Sequence, residues 1–162
     1  MLNGSAVLGL KPEVMPIDGV QFCETPTLEL LAAGKYDFVS AGLERGITSL
    51  PAMRLPRNKD LKIQMLNFGV LMSSEQVCQD LLQMKLRPLT VHELLAIGAQ
   101  LPDLQKMFLI VALGTSFSTV RCERFAFLWG SSAPGSSLRY LCLNAATFLW
   151  PSYARFAAVT VA

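Results

Sequence analysis

From Leu61 the chain alternates. Leu61, Ile63 and Met65 are apolar while Lys62 and Gln64 are polar, which predicts a half-buried strand over 61–68, closed by Gly69. The period then changes. In S-S-E-Q-V-C-Q-D-L-L-Q-M-K-L, residues Val77, Cys78, Leu81 and Leu82 recur on one helical stripe, and Glu75, Gln79, Asp80 and Gln83 fall opposite. Ser73 stands three residues before Gln76, a capping-box spacing, so a helix is expected from there to about Lys85. Pro88 blocks its continuation and pushes Arg87 into an extended conformation. A second helix follows, with Val91, Leu94, Leu95 and Gly98 facing inward and His92 on the more exposed side. The run F-L-I-V-A-L-G reads as a strand buried on both faces and stopped by Gly114. Three more strands are expected near 124–129, 137–143 and 154–161. The first two are joined by the hairpin loop G-S-S-A-P-G-S-S, and the last is reached through N-A-A-T-F-L-W-P-S-Y.

Upstream the pattern is broken. Prolines at 12, 16, 26, 51 and 56, with glycines between them, predict an irregular arm over 1–57. It holds one short helix, with Thr25 as N-cap, Pro26 at the first helical position and Gly34 as the stop. The expected organisation is that arm followed by an α+β domain over 58–162, with two helices packed on a mainly antiparallel sheet.

Composition sharpens this picture. Of 162 residues, 52% are hydrophobic and only 16% charged, which excludes disorder and points to an apolar surface that meets a protein partner or a second copy. The longest unbroken apolar run, 107–113, is far short of the ~20 residues a bilayer requires, so no membrane partner is expected. The N-terminus lacks the charged and apolar regions of a secretion signal, which implies a cytoplasmic protein with reduced cysteines. The short basic run R-L-P-R-N-K-D-L-K, 54–62, reads as a solvated linker, so nucleic acid is not an expected partner and weak nucleic-acid binding through this run stays an alternative.

Candidate chemistry is sparse. The stretch T-V-H-E-L-L contains His92, the only histidine, beside Glu93. A zinc-protease helix needs H-E-x-x-H, and the second histidine position is Ala96. The spacing of Thr90 and Glu93 instead matches a capping box, in which the carboxylate clasps its own backbone. No metal ligand set and no cofactor motif is read. A Cys–His couple would require His92 to reach Cys78, which the inward stripe hides, so no catalytic residue is assigned and a thiol enzyme stays the alternative. The candidate interaction residues are Trp150 and Tyr153, which flank Pro151 in the last connection, together with Trp129.

The stretch from Ser73 to Gly114, with the upstream G-K-Y-D-F-V and the closing A-R-F-A-A-V, resembles a group of uncharacterised bacterial proteins from environmental genomes. That resemblance implies no function. More loosely, Arg87, Pro88, Thr90, Glu93, Leu94, Arg155 and Phe156 resemble motif positions of C-type-lectin-like domains, including the formylglycine-generating-enzyme-like branch. This resemblance implies that strand 61–68 pairs with strand 154–161. The calcium motifs of such lectins are missing, and Glu123 is the only carboxylate side chain between 115 and 162. Cys122 and Cys142 do not sit in the motif of the enzymatic branch.

Overall fold

The computed structural model describes residues 11–21, 25–50, 62–118, 122–131, 133, 135–145 and 147–160. Over them the chain runs β1 (Glu13–Ile17), α1 (Thr27–Ala33), β2 (Phe38–Val39), α2 (Leu43–Thr48), β3 (Ile63–Asn67), β4 (Met72–Ser73), α3 (Ser74–Gln83), β5 (Leu86–Pro88), α4 (Val91–Gln100), α5 (Leu104–Met107), β6 (Ile110–Ser118), β7 (Glu123–Gly130), β8 (Arg139–Ala145), β9 (Leu149–Trp150) and β10 (Arg155–Thr160).

The protein is α+β. Its main sheet has the order β1-β3-β10-β6-β7-β8-β2, and β5 also pairs with β10. Neighbours are antiparallel except at β10–β6 and β2–β8. β3 and β10 lie side by side, Phe156 opposite Leu66 and Val159 opposite Ile63. The segment expected to be an irregular arm holds more than one helix. β1 extends the sheet beyond β3, β2 adds to it beyond β8, and α1 and α2 send Leu30, Leu43 and Ile47 into the core. These strands escape a periodicity reading because β2 is two residues long and β1 carries Pro16 on the sheet's edge. The helix α1 starts one residue later than a Thr25 cap would place it, with Pro26 at its N-cap.

Alternation along the strands makes two cores, one on each face of the sheet. Ile63, Met65, Ile110, Ala112, Ala126, Leu128, Leu141, Ala157 and Val159 pack with residues of α1, α2 and α4. Leu66, Val111, Leu113, Phe125, Phe156 and Ala158 pack on the other side with Val77 and Leu81 of α3, Met72 of β4 and Trp150 of β9. Helices therefore cover both faces of the sheet. Within α3 the expected stripe is narrower than its apolar residues suggest. Leu82 is 73% exposed, while Asp80 is buried and accepts from Gln76 Nε2 at 2.8 Å. The β6 strand does not stop at Gly114. It continues to Ser118 through an irregularity between Ala112 and Ser116, where the Gly114 amide donates to the Leu89 carbonyl at 2.7 Å. A Cβ at Gly114 would lie 2.4 Å from that same oxygen, so glycine is needed for backbone approach rather than as a terminator.

The start of α4 is built as its spacing predicts. Thr90 Oγ1 accepts from the Glu93 amide at 3.3 Å, and Glu93 Oε1 accepts from the Thr90 amide at 2.9 Å. Arg87 adds a fork, Nη1 and Nη2 each donating to one Glu93 oxygen at 2.8 Å. Thr90→Ala is expected to lower unfolding stability by about 1 kcal/mol, read from urea denaturation. Burial pushes the Glu93 carboxyl up, but the Arg87 and Thr90 hydrogen bonds and the Arg87 charge outweigh it and hold the group below the ordinary carboxylate range. The unfolded chain then binds this proton more readily than the folded one. The stabilisation is complete above the unfolded value of about 4.3 and is lost as pH falls through the lower folded value. In urea unfolding followed through that acid window, Glu93→Gln is expected to flatten the loss; an unchanged acid profile would remove Glu93 from the account.

His92 is not on an exposed side. Residues 91 to 98 are all buried because α1 packs across α4, which itself lies on the sheet and so has no solvent face there. His92 is 1% exposed, its Nδ1 2.9 Å from Thr27 Oγ1.

One buried cation ties the helix-covered side together. Arg139 shares its strand face with Leu141 and Leu143. Its guanidinium donates to the Gly34 carbonyl, to the Gly98 carbonyl at 2.6 Å and to Gln105 Oε1 at 2.9 Å. Gly34 ends α1 and Gly98 lies in the last turn of α4, so two helix termini, each carrying roughly half a negative charge, face one positive charge. Tyr36 lies beneath, its ring centroid 4.9 Å from the guanidinium carbon. Gln105 Nε2 in turn donates to the carbonyls of Trp129 at 2.9 Å and Tyr140 at 3.2 Å.

The β8 edge is capped by side chains. Asp37 Oδ2 accepts from the Arg139 amide, Ser40 Oγ from the Leu143 amide and Asn144 Oδ1 from the Ala145 amide. The two residues of β2 take part of the same edge.

Candidate binding cleft

On β7 and β8, Ala126, Leu128, Leu141 and Leu143 face the core under α1, α2 and α4, so Phe127, Trp129, Tyr140, Cys142 and Asn144 face the other way. On that second side α3 and the β4–β9 pair lie over β3, β10 and β6. The β7–β8–β2 end is left open. Three aromatic rings occupy neighbouring register positions there: Trp129 and Tyr140 with centroids 5.1 Å apart, and Tyr140 and Phe38 at 6.4 Å. Between this open end and the 148–153 segment lies a cleft of about 440 Å³, within the range of small-molecule sites. Its walls include Phe127, Trp129, Phe148, Trp150 and Tyr153, with Ser40, Cys142 and Asn144 as polar groups.

The three residues singled out in the sequence all border this cleft, in different roles. Tyr153 is 69% and Trp129 44% exposed. Trp150, expected on the surface, is 1% exposed and forms part of the wall from within the core. Pairing of β9 with β4 lays its indole over the sheet, where the N–H donates to Ser74 Oγ at 2.8 Å. Its ring meets Phe127 and Phe148 edge-on at 5.6 and 5.8 Å and Phe156 at 6.3 Å.

Phe148, Cys142, Asn144 and Ser40 were not anticipated. The alternation Tyr140, Cys142, Asn144 carried a usable signal, since it sets them opposite Leu141 and Leu143. Ser40 carried none, because only the pairing of β2 with β8 brings it there. Burial pushes the Cys142 thiol up, against the pull of the Trp129 indole N–H and the Ser40 hydroxyl that reach its sulfur. A thiol held up in this way is a poor nucleophile at neutral pH. Burial pushes the Cys78 thiol up as well. Cys78 packs with the α3 core, whereas His92 sits on α4 across the sheet, so the structure does not bring that couple together.

A second, smaller cleft of about 260 Å³ lies between α2 and the far ends of β6 and β7, with Arg45 and Arg124 on its walls. Among the described residues no three His, Cys, Asp or Glu side chains converge as a metal site, and no helix is long and apolar enough to cross a membrane. The basic run falls almost wholly in 51–61, outside the described residues; Lys62, its last member, is exposed. No protein-family model, curated protein or solved structure matches the chain.

Proposed function

We propose that the protein is a non-catalytic binding domain whose site is the aromatic cleft on the open half of the sheet. The observation that carries this reading is the uncovered end of a face whose other end is fully packed. Trp129, Phe148 and Tyr153 stay in water there around a cavity large enough for a ligand. Catalysis is not favoured. Glu93 is bound to its own helix start and Arg87, and the thiol in the cleft has no imidazole at hand among its lining residues.

Amide chemical shifts followed during titration with small organic fragments of mixed charge test the reading. Perturbations are expected to gather at Trp129, Cys142, Asn144 and Phe148, and to weaken at least tenfold in the Trp129→Ser/Tyr153→Ser double variant. Shifts scattered over the surface, or unaltered by the variant, overturn it.

A second reading takes the same rim as a contact for another protein or a second copy. Leu149, Phe148, Tyr153 and Trp129 are all exposed large apolar residues. Concentration-dependent sedimentation that disappears in the double variant would select it. The likeness to C-type-lectin-like domains is proposed for layout alone, resting on the pairing of β3 with β10, and it brings no calcium-dependent sugar binding, since no carboxylate lines the cleft. We place the protein in the cytoplasm, where Cys78 and Cys142, neither in a disulfide, would stay reduced.

A further inference from the structure

We propose that the cleft takes a planar aromatic molecule without an anionic group, which stacks in it against Trp129 and Phe148 and turns a hydrogen-bond acceptor toward Asn144 and Ser40. This rests on the cleft being a binding site and adds the chemical class of its ligand.

Charge is the first argument. None of the side chains lining the cleft is an acid, a lysine or an arginine. A carboxylate or phosphate moved from water into such a wall loses its hydration and gains no counter-ion, and the negative ring faces repel it, so the site discriminates against anions. Shape is the second. Phe127, Trp129, Phe148 and Trp150 present rings at several orientations, and an aromatic guest can meet some face-on and others edge-on.

Preorganisation is the third. Although exposed, Trp129 is held from two sides: its ring lies 5.1 Å from Tyr140, and its carbonyl accepts from Gln105. A fixed platform loses little freedom when a ligand settles on it.

The polar groups set the last feature. Asn144 Oδ1 is occupied by the Ala145 amide and Ser40 Oγ accepts from the Leu143 amide. Both therefore have donors left to offer, the carboxamide N–H and the hydroxyl. A carbonyl or ring nitrogen of a ligand would accept from either donor.

Coumarin and coumarin-3-carboxylate form a matched pair, the same planar lactone without and with an anionic group. Calorimetric titration of the full chain is expected to show one coumarin per chain, bound at least tenfold more tightly than the carboxylate. Binding should be lost in Trp129→Ser/Tyr153→Ser, whose folding is checked by circular dichroism. Asn144→Leu should weaken coumarin several-fold, and Tyr153→Arg should turn the preference toward the carboxylate. Equal affinities that both vanish in the double variant overturn the exclusion of anions while the cleft stands. An unchanged coumarin affinity in Asn144→Leu overturns the acceptor contact. Coumarin that fails to bind, while other fragments still map to the cleft, overturns the whole class. Coumarin binding indifferent to the double variant removes the cleft as the site. The titrations are run at high salt, which screens carboxylate binding at the Arg45–Arg124 cleft, so the two affinities compare the aromatic cleft alone.

Discussion

Arg139→Met is expected to lower unfolding stability by about 4 kcal/mol, because it strips the donor from three acceptors at roughly 1–3 kcal/mol each. Those acceptors are the Gly34 and Gly98 carbonyls and Gln105 Oε1. Methionine fills most of the volume, so the loss reports hydrogen bonds and charge and not a cavity. The readout is the urea midpoint, which should fall by about 2 M for a slope near 2 kcal/mol/M, with the slope itself unchanged. Lysine at the same position should recover less than half, since a point charge cannot fork between two helix ends and an amide. A loss below about 1 kcal/mol would show that water or other groups satisfy those carbonyls. The effect reaches the cleft, too. Gln105, freed from Arg139, would hold the Trp129 and Tyr140 carbonyls less firmly, and ligand affinity should fall along with stability.

Trp150→Ala is the second large effect, expected at about 3–5 kcal/mol for a buried aromatic removed from a packed core. For a chain of this length that corresponds to a drop in melting temperature of about 12 °C. The indole is buried against Phe127, Phe148 and Phe156, and its loss also leaves Ser74 Oγ without the donor it now has. Trp150→Phe keeps part of the packing and should cost about half as much. Trp129→Ala and Tyr153→Ala, both on the exposed rim, should each shift stability by less than about 1 kcal/mol. Equal costs at Trp150 and Tyr153 would contradict the division of the aromatic group into wall and rim.

What could be read from the chain was what short-range chemistry decides. Ser73 with Gln76, and Thr90 with Glu93, declare helix starts because the bonds they make close within one turn. The alternation near Ile63 and Met65 declares a strand because one sheet face is buried. His92 and Trp150 were misplaced because their burial depends on elements distant in sequence, α1 over α4 and β4 beside β9. Leu82 was misplaced for the opposite reason, since among the described residues it is left 73% exposed on its side of α3. Gly114 signals a stop in isolation, and only the approach of Leu89 reveals why the strand passes through it. Arg139 was legible in principle. Period two sets it on the face of Leu141 and Leu143, and a charge on an apolar face asks what satisfies it.

For the candidate site, Trp129 and Tyr153 could be picked from the chain as aromatics near loops. Their union in one cleft with Cys142, Asn144 and Ser40 could not, because Ser40 arrives through a parallel pairing across a separation of about a hundred residues.

A chain this apolar is prone to grow into fibres by adding strands edge to edge. With the Arg139, Leu143 and Ala145 amides already engaged by its own side chains, β8 offers an incoming backbone almost no rungs to climb. Ser40→Ala and Asp37→Ala would re-open those rungs, and amyloid-dye lag times should shorten in both.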